Sequence, residues 1–285
     1  MAQKQRTAPD ILARKGHSKI AVLTAYDYPT ALLADEAGAD VVLVGDSLGM
    51  VCLGLPDTLG VTMADMLHHT KAVSRAAKQA LVVADMPFLS YQTSVADAVA
   101  NAGRFLQEAG ARAVKLEGGS EFAPHIRAML AAGIPVMGHL GLTPQQVAVF
   151  GGFKAQGKNA RAARALLAHA RALAEAGCFA LVLEAVPAEV AQRITAEIAI
   201  PTIGIGAGPD CDGQVLVFHD VLGLCPGLRP SFVKQYADLW TSAKDALAAY
   251  CDEVRQGTFP AAVHTRRMDP AELAEFSAQS EYEDA

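Results

Sequence analysis

Four apolar runs of this sequence each break off on an ionisable residue. "VVLVGDSLG" ends its aliphatic stretch on Asp46, "LVVADMP" on Asp85, "AVKLEGG" on Lys115 and Glu117, and "ALVLEAVP" on Glu184. Any one of these acids has an ordinary explanation, because Asp and Glu open turns and cap helices. Their repetition at four strand-like ends points to chemistry. Carboxylates gathered without a cation repel one another, and some take up protons. A hard divalent ion relieves that conflict. All-oxygen ligation completed by water suits Mg²⁺, whereas Zn²⁺ favours His and Cys. Asp46, Asp85 and Glu117, on the second, third and fourth strand-like runs, are therefore the candidate metal ligands.

Glu184 ends the sixth run, too far round to be a good fourth ligand but well placed to face a metal-held substrate as a general base. The alternative is a helix-opening acid before "VPAEV". Lys115 and Glu117 are two apart, so they share one face of a pleated strand. Lys115 reads as a fixed cation for a substrate carboxylate, as a Schiff-base nucleophile, or as the partner of a neighbouring acid. His139 in "MGHLG" also ends a run, as a substrate hydrogen-bonding group or a satisfied core histidine. Tyr26 in "TAYDYPTA" lines a pocket or packs at its rim. His68 and His69 fall on a helix and read as surface residues. "GIGAG" (204–208) resembles a phosphate-gripping loop, but close backbone packing explains it equally well.

The elements that must position these residues alternate almost from end to end. Strand-like runs fall at 20–25, 40–45, 81–86, 113–118, 135–140, 180–185, 201–206 and roughly 214–219. Ala-rich helical segments separate them, and many stop on a glycine such as Gly38, Gly110, Gly133 or Gly177. Continuous apolar strands alternating with helices mean a parallel sheet buried on both faces. Eight such units predict a closed (β/α)8 TIM barrel, with an open doubly wound sheet as the alternative. The eighth run, "QVLVFH", is the least strand-like, since little helix precedes it. In a barrel, the carboxyl ends of the strands form the mouth of the active site, where Asp46, Asp85, Glu117 and Glu184 all fall. "LTPQQVAVFGGFKAQGK" (142–158) reads as a mobile loop over that mouth. Residues 1–285 read as a single barrel domain, with a polar lead over 1–19 and a polar tail over 258–285.

Composition agrees with a large core: of 285 residues, 52% are hydrophobic and 19% charged. A net charge of −6 without a basic run gives nothing to recruit nucleic acid or an anionic membrane. No run approaches the roughly 18 apolar residues of a membrane span, and the polar opening is not a secretory signal. Five scattered cysteines argue against a disulfide framework or structural zinc and point to a cytoplasmic setting.

The stretches "LTAYDYPTA", "VGDSLGMVCLGLPDTLGVT", "VVADMPFLSY", "AVKLEGG", "GHLGLTPQ", "GCFALVLEAVP" and "IPTIGIGAGPDCDGQVLVFHDVLG" together resemble the ketopantoate hydroxymethyltransferase family over roughly residues 20 to 235. The resemblance implies a barrel of the phosphoenolpyruvate/pyruvate type and one Mg²⁺ per subunit. Asp46 and Asp85 would hold that ion directly, and Glu117 directly or through water. It further implies a 2-oxo acid, 3-methyl-2-oxobutanoate, contacting Ser47, Asp85 and Lys115, with Glu184 as proton acceptor. The co-substrate would be 5,10-methylenetetrahydrofolate, and the product would feed pantothenate synthesis. Family members commonly assemble as homodecamers of paired pentamers. The nearest rival is a Mg²⁺-dependent carbon–carbon lyase or mutase of the isocitrate lyase type, but its Lys-Lys-Cys-Gly-His run is missing here. A Schiff-base aldolase using Lys115 and a silent ring scaffold are the others.

Overall fold

The computed structural model describes residues 4–227 and 230–279. Eight parallel strands follow in chain order around one closed barrel. They are β1 Ile20–Thr24, β2 Val41–Val44, β3 Leu81–Asp85 and β4 Ala113–Glu117, then β5 Val136–Gly141, β6 Ala180–Glu184, β7 Thr202–Ile205 and β8 Gly213–Leu216. β8 pairs back onto β1, with Val215 opposite Val22, so the sheet has no free edge. This is the expected closed barrel, not the open sheet. The eighth strand stops at Leu216 instead of reaching His219, because Phe218 begins a short helix.

The helices are α1 Ala8–Leu12, α2 Tyr28–Glu36, α3 Leu48–Val51, α4 Met63–Ala76, α5 Val95–Gln107 and α6 Ala123–Ala131. They continue as α7 Val147–Phe150, α8 Ala160–Ala176, α9 Ala188–Glu197, α10 Phe218–Leu222, α11 Leu239–Gln256 and α12 Pro270–Gln279. Local sequence sets their ends. Thr62 and Asp65 form a reciprocal capping box at the start of α4. Asn159 accepts the Ala162 N–H at the start of α8, and Gly177, at φ 102°, ends that helix in a left-handed cap. Among the described residues, no helix is long and apolar enough to cross a membrane.

The aliphatic runs have no polar face because both faces of each strand are buried. Val42, Val82, Val114, Leu116 and Leu181 point outward and pack with Phe105, Ile126, Met129 and Leu173 of the helices. Ile20, Val41, Leu43, Leu81, Val83, Ala113, Met137 and Ile203 point inward and fill the barrel. The polar lead does more than its composition suggests. Ala8 and Ile11 join that interior cluster, so the first helix closes the amino-terminal end of the barrel. Arg6 and Arg14 pair with Asp40 just before β2, at 3.3 and 2.8 Å. Lys15 pairs with Asp212 just before β8, at 2.8 Å. The described chain divides into two compact units, one running through Ala237 and one from Asp238, the second carrying α11 and α12. The five cysteines are free.

Two outcomes follow from the closed end. Ile11 is fully buried, and Ile11→Ala should cost about 2–5 kcal/mol in denaturant unfolding. Burial pushes the Asp212 carboxyl up, but the Lys15 ammonium and the N–H groups of Thr202 and Gly16 outweigh it and hold it below 3.8. A carboxyl lowered by folding stabilises the fold above its unfolded pKa, and that stability is lost as pH falls through the folded value. Asp212→Asn should therefore cost about 1–3 kcal/mol near neutrality and flatten the acid limb of a melting-temperature profile. An acid limb identical to that of the unsubstituted protein would overturn this assignment.

Candidate active site

The parallel register lines up the ionisable residues at the carboxyl end of the barrel. Asp85 of β3 lies opposite Lys115 of β4, and Glu117 of β4 lies opposite His139 of β5. Gly141 of β5 lies opposite Glu184 of β6. Lys115 Nζ is 2.8 Å from Asp85 Oδ1, a buried ion pair. It is also 3.1 Å from His139 Nδ1. His139 Nε2 lies 3.3 Å from Glu184 Oε2. Although burial and Lys115 disfavour the imidazolium, Glu117 and Glu184 outweigh them and raise the ring to about 9. His139 Nδ1 also lies 3.4 Å from Glu117 Oε1. His139 thus sits at the centre, where Glu117, Lys115 and Glu184 meet, and is no isolated core histidine. Asp46, just beyond β2, donates its backbone N–H to Asp85 Oδ2 at 3.1 Å.

Two further residues belong to the site and carry no charge. Gln145, in the loop after β5, donates its side-chain amide to Asp46 Oδ2 and to the Met86 carbonyl, both at 2.9 Å. Its backbone N–H donates to Glu117 Oε2 at 3.0 Å. Its amide oxygen lies 2.9 Å from the Tyr91 hydroxyl and accepts from the Gln92 amide at 3.1 Å. The Tyr91 hydroxyl in turn accepts the Glu117 N–H at 3.1 Å. Neutral polar residues leave no charge pattern in a sequence. Even so, Tyr91 and Gln145 are the last residues of two of the stretches that carried the family resemblance, "VVADMPFLSY" and "GHLGLTPQ".

The electrostatics are those of a cluster in which carboxylates outnumber cations. Asp46, Asp85 and Glu117 are each at most 4% exposed. Burial, then the neighbouring Asp85 and Glu117 carboxylates, raise the Asp46 carboxyl well above its usual range. Burial likewise lifts Asp85, against the pull of Lys115. Burial disfavours the Lys115 ammonium, but Asp85, Glu117 and Asp46 more than compensate and raise it above 10.5. Lys115 is thus held charged, the reverse of what a Schiff-base nucleophile needs. The excess of buried carboxylate oxygen is the donor chemistry of a hard divalent ion. Among the described residues, however, no three acidic, imidazole or thiol side chains are gathered closely enough to enclose one as they stand. Each carboxylate is turned to a protein donor instead.

The periphery supports this cluster. A Cβ on Gly45 would lie 2.7 Å from Ser47 Oγ and 3.5 Å from Asp85 Oδ2, so Ser47 and Asp85 flank that glycine together. Ser47 Oγ hydrogen-bonds the buried Tyr26 hydroxyl at 2.8 Å. His68 is exposed, but His69 is half-buried and bonds the Tyr26 carbonyl rather than solvent alone. Gly141, at φ 98°, must be glycine, because a Cβ there would lie 2.1 Å from the Glu184 carbonyl oxygen. Leu142 donates to that same oxygen at 2.8 Å. Ala185 takes φ 48°, a left-handed conformation that costs a non-glycine residue of order 1 kcal/mol and turns the chain directly after Glu184. In "GIGAG", Cβ atoms at Gly206 and Gly208 would meet Phe232 and Ala188 at 2.6 Å, so close packing accounts for these glycines.

Comparison with solved structures agrees on the fold. The chain is similar to a phosphonopyruvate hydrolase, with TM-score 0.59 and 13% identity over 98% of both chains. It is also similar to 2,3-dimethylmalate lyase, a member of the PEP mutase/isocitrate lyase superfamily, with TM-score 0.57 and 16% identity over 98% and 99%. Identities this low show a shared barrel and nothing finer. Sequence relatives are far nearer. A 3-methyl-2-oxobutanoate hydroxymethyltransferase of Syntrophobacter fumaroxidans is 60% identical over 95% of this chain and 96% of its own. One of Moorella thermoacetica is 61% identical over 93% and 99%. The family profile described as ketopantoate hydroxymethyltransferase matches residues 5–262. Shared barrel, near-complete coverage and high identity lead to one conclusion: this chain belongs to the ketopantoate hydroxymethyltransferase family.

Proposed function

We propose that the chain transfers a one-carbon unit from 5,10-methylenetetrahydrofolate to 3-methyl-2-oxobutanoate, giving 2-dehydropantoate and tetrahydrofolate. The observation that carries this reading is the linked row of Asp85, Lys115, His139 and Glu184 across four neighbouring strand ends. It supports reading Lys115 as a fixed cation and Glu184 as a carboxylate base on the same side of the barrel mouth. Lys115 and Ser47 hold the substrate carboxylate and turn C3 toward Glu184. Glu184 removes the C3 proton, a step to which a positioned base contributes about 10²–10⁴-fold. The His139 Nε2 proton steadies the Glu184 carboxylate. Tyr26 holds Ser47 in place. C3 then bonds to the one-carbon unit as its two bonds to folate nitrogen break. One water supplies the hydroxyl, and the two nitrogens take up the proton carried by Glu184 and the remaining proton of that water.

Asp46 and Asp85 would hold one Mg²⁺ per subunit, with Glu117 beside them directly or through water. When bound, the ion supplies Lewis-acid charge to the keto oxygen of the substrate, an effect of several kcal/mol. A phosphonopyruvate hydrolase of similar fold, solved as a complex with oxalate and Mg²⁺, supports the use of such an ion in this barrel. The isocitrate lyase type of reaction has only the distant barrel likeness in its favour.

Proton NMR of 3-methyl-2-oxobutanoate in D₂O tests the reading. The C3 proton should exchange with protein and Mg²⁺, and exchange should stop with excess chelator. Added methylene donor should then yield 2-dehydropantoate. Glu184→Gln should slow exchange by about 10²–10⁴-fold with an unchanged circular dichroism spectrum. Undiminished exchange in that variant would remove Glu184 as the base. Exchange that survives chelation, with Lys115 trapped by borohydride, would replace this mechanism with a Schiff-base one.

A further inference from the structure

Gln145 contacts the two outer candidate ligands with different parts of itself. Its side-chain N–H occupies Asp46 Oδ2 at 2.9 Å, and its backbone N–H occupies Glu117 Oε2 at 3.0 Å. The amide cannot be turned around without loss. On its nitrogen side lie two acceptors, Asp46 Oδ2 and the Met86 carbonyl. On its oxygen side lie the Tyr91 hydroxyl and the Gln92 amide. The residue is 4% exposed and lies in the short 3₁₀ turn Pro144–Gln146. A neutral side chain buried this deeply, with every polar atom committed, is placed by the network around it.

We infer that Gln145 biases the metal specificity of the site, because one side-chain N–H and its backbone N–H each occupy one oxygen of a ligand carboxylate and favour ligation through the other. Asp46 Oδ1 meets no donor among the described residues and is the oxygen left to bind. An N–H held on Oδ2 competes with an ion for that oxygen and so disfavours a grip by both oxygens of Asp46. Mg²⁺ and Mn²⁺ fit an octahedron of single oxygens and retained waters. Ca²⁺ takes six to eight oxygens and readily uses bidentate carboxylates. Holding Asp46 and Glu117 to one oxygen each therefore penalises the larger ion. This inference rests on the metal reading proposed above, and it makes Gln145 a positioning residue and not a ligand.

The test is Mn²⁺ binding to the whole protein followed by electron paramagnetic resonance, with Mg²⁺ and Ca²⁺ as competitors. Gln145→Met keeps the length and burial of the side chain and removes the donor to Asp46. The preference for Mg²⁺ over Ca²⁺ should fall tenfold or more in this variant, in the range expected when an outer-shell partner is lost. Thermal melting without metal serves as the folding control. An unchanged Mg²⁺/Ca²⁺ ratio, whatever happens to absolute affinity, would overturn the inference. Should Gln145→Met fail to fold, Gln145→Leu decides by the same ratio, since it also removes the donor to Asp46 and keeps a buried side chain of similar size. A wild-type protein that takes up no Mn²⁺ would sink the metal reading together with this inference, an outcome distinct from an unchanged ratio.

Discussion

Negative charge is crowded into the carboxyl end of the barrel, and most of the surrounding arrangement answers that crowding. Asp46, Asp85 and Glu117 are withdrawn from water with one lysine between them. Burying an uncompensated carboxylate is expensive. The protein meets the cost with specific donors: Lys115 for Asp85, the Asp46 N–H for the other Asp85 oxygen, and Gln145 for both Asp46 and Glu117. His139 extends the same network to Glu184 on the next strand. The donors leave an excess of oxygen, the feature on which the proposed affinity for a divalent cation rests.

The closed barrel makes such crowding possible. Parallel strands in fixed register place residues from β3, β4, β5 and β6 at one height, so side chains far apart in sequence meet within hydrogen-bond range. The opposite end of the barrel is built for stability. There, Ile11 fills the interior, and Asp40 and Asp212 clamp the first helix to the starts of β2 and β8. Asp40 and Asp212 each meet a cation at that end, whereas at the mouth Asp46, Asp85 and Glu117 crowd around Lys115 and His139. This division of labour between the two ends is typical of the fold.

Backbone geometry adds a second layer of control around Glu184. Gly141 lets β5 pass close to the Glu184 carbonyl, and the left-handed Ala185 turns the chain immediately afterwards. The Ala185 carbonyl also accepts the Gln156 N–H from the loop after β5. That loop therefore contacts the site twice, through Gln145 at the carboxylates and through Gln156 behind Glu184. A segment read as a mobile cover serves, in the described structure, as part of the wall.

Much of this was legible in the sequence by itself. Aliphatic runs without a polar face announced buried parallel strands, and eight of them announced a closed barrel. Charged residues at the ends of such runs marked the mouth, because a buried strand has no other reason to finish repeatedly on a carboxylate or a lysine. Period-two spacing put Lys115 and Glu117 on one face. What only the tertiary structure decided was pairing. No spacing rule says that Lys115 turns to Asp85, that His139 bridges Glu117 and Glu184, or that Ile11 plugs the barrel from the far end of the chain. Gln145 and Tyr91 lay beyond pattern reading for the same reason. A neutral side chain shows its function through the partners it meets, and those partners come together only when the sheet closes.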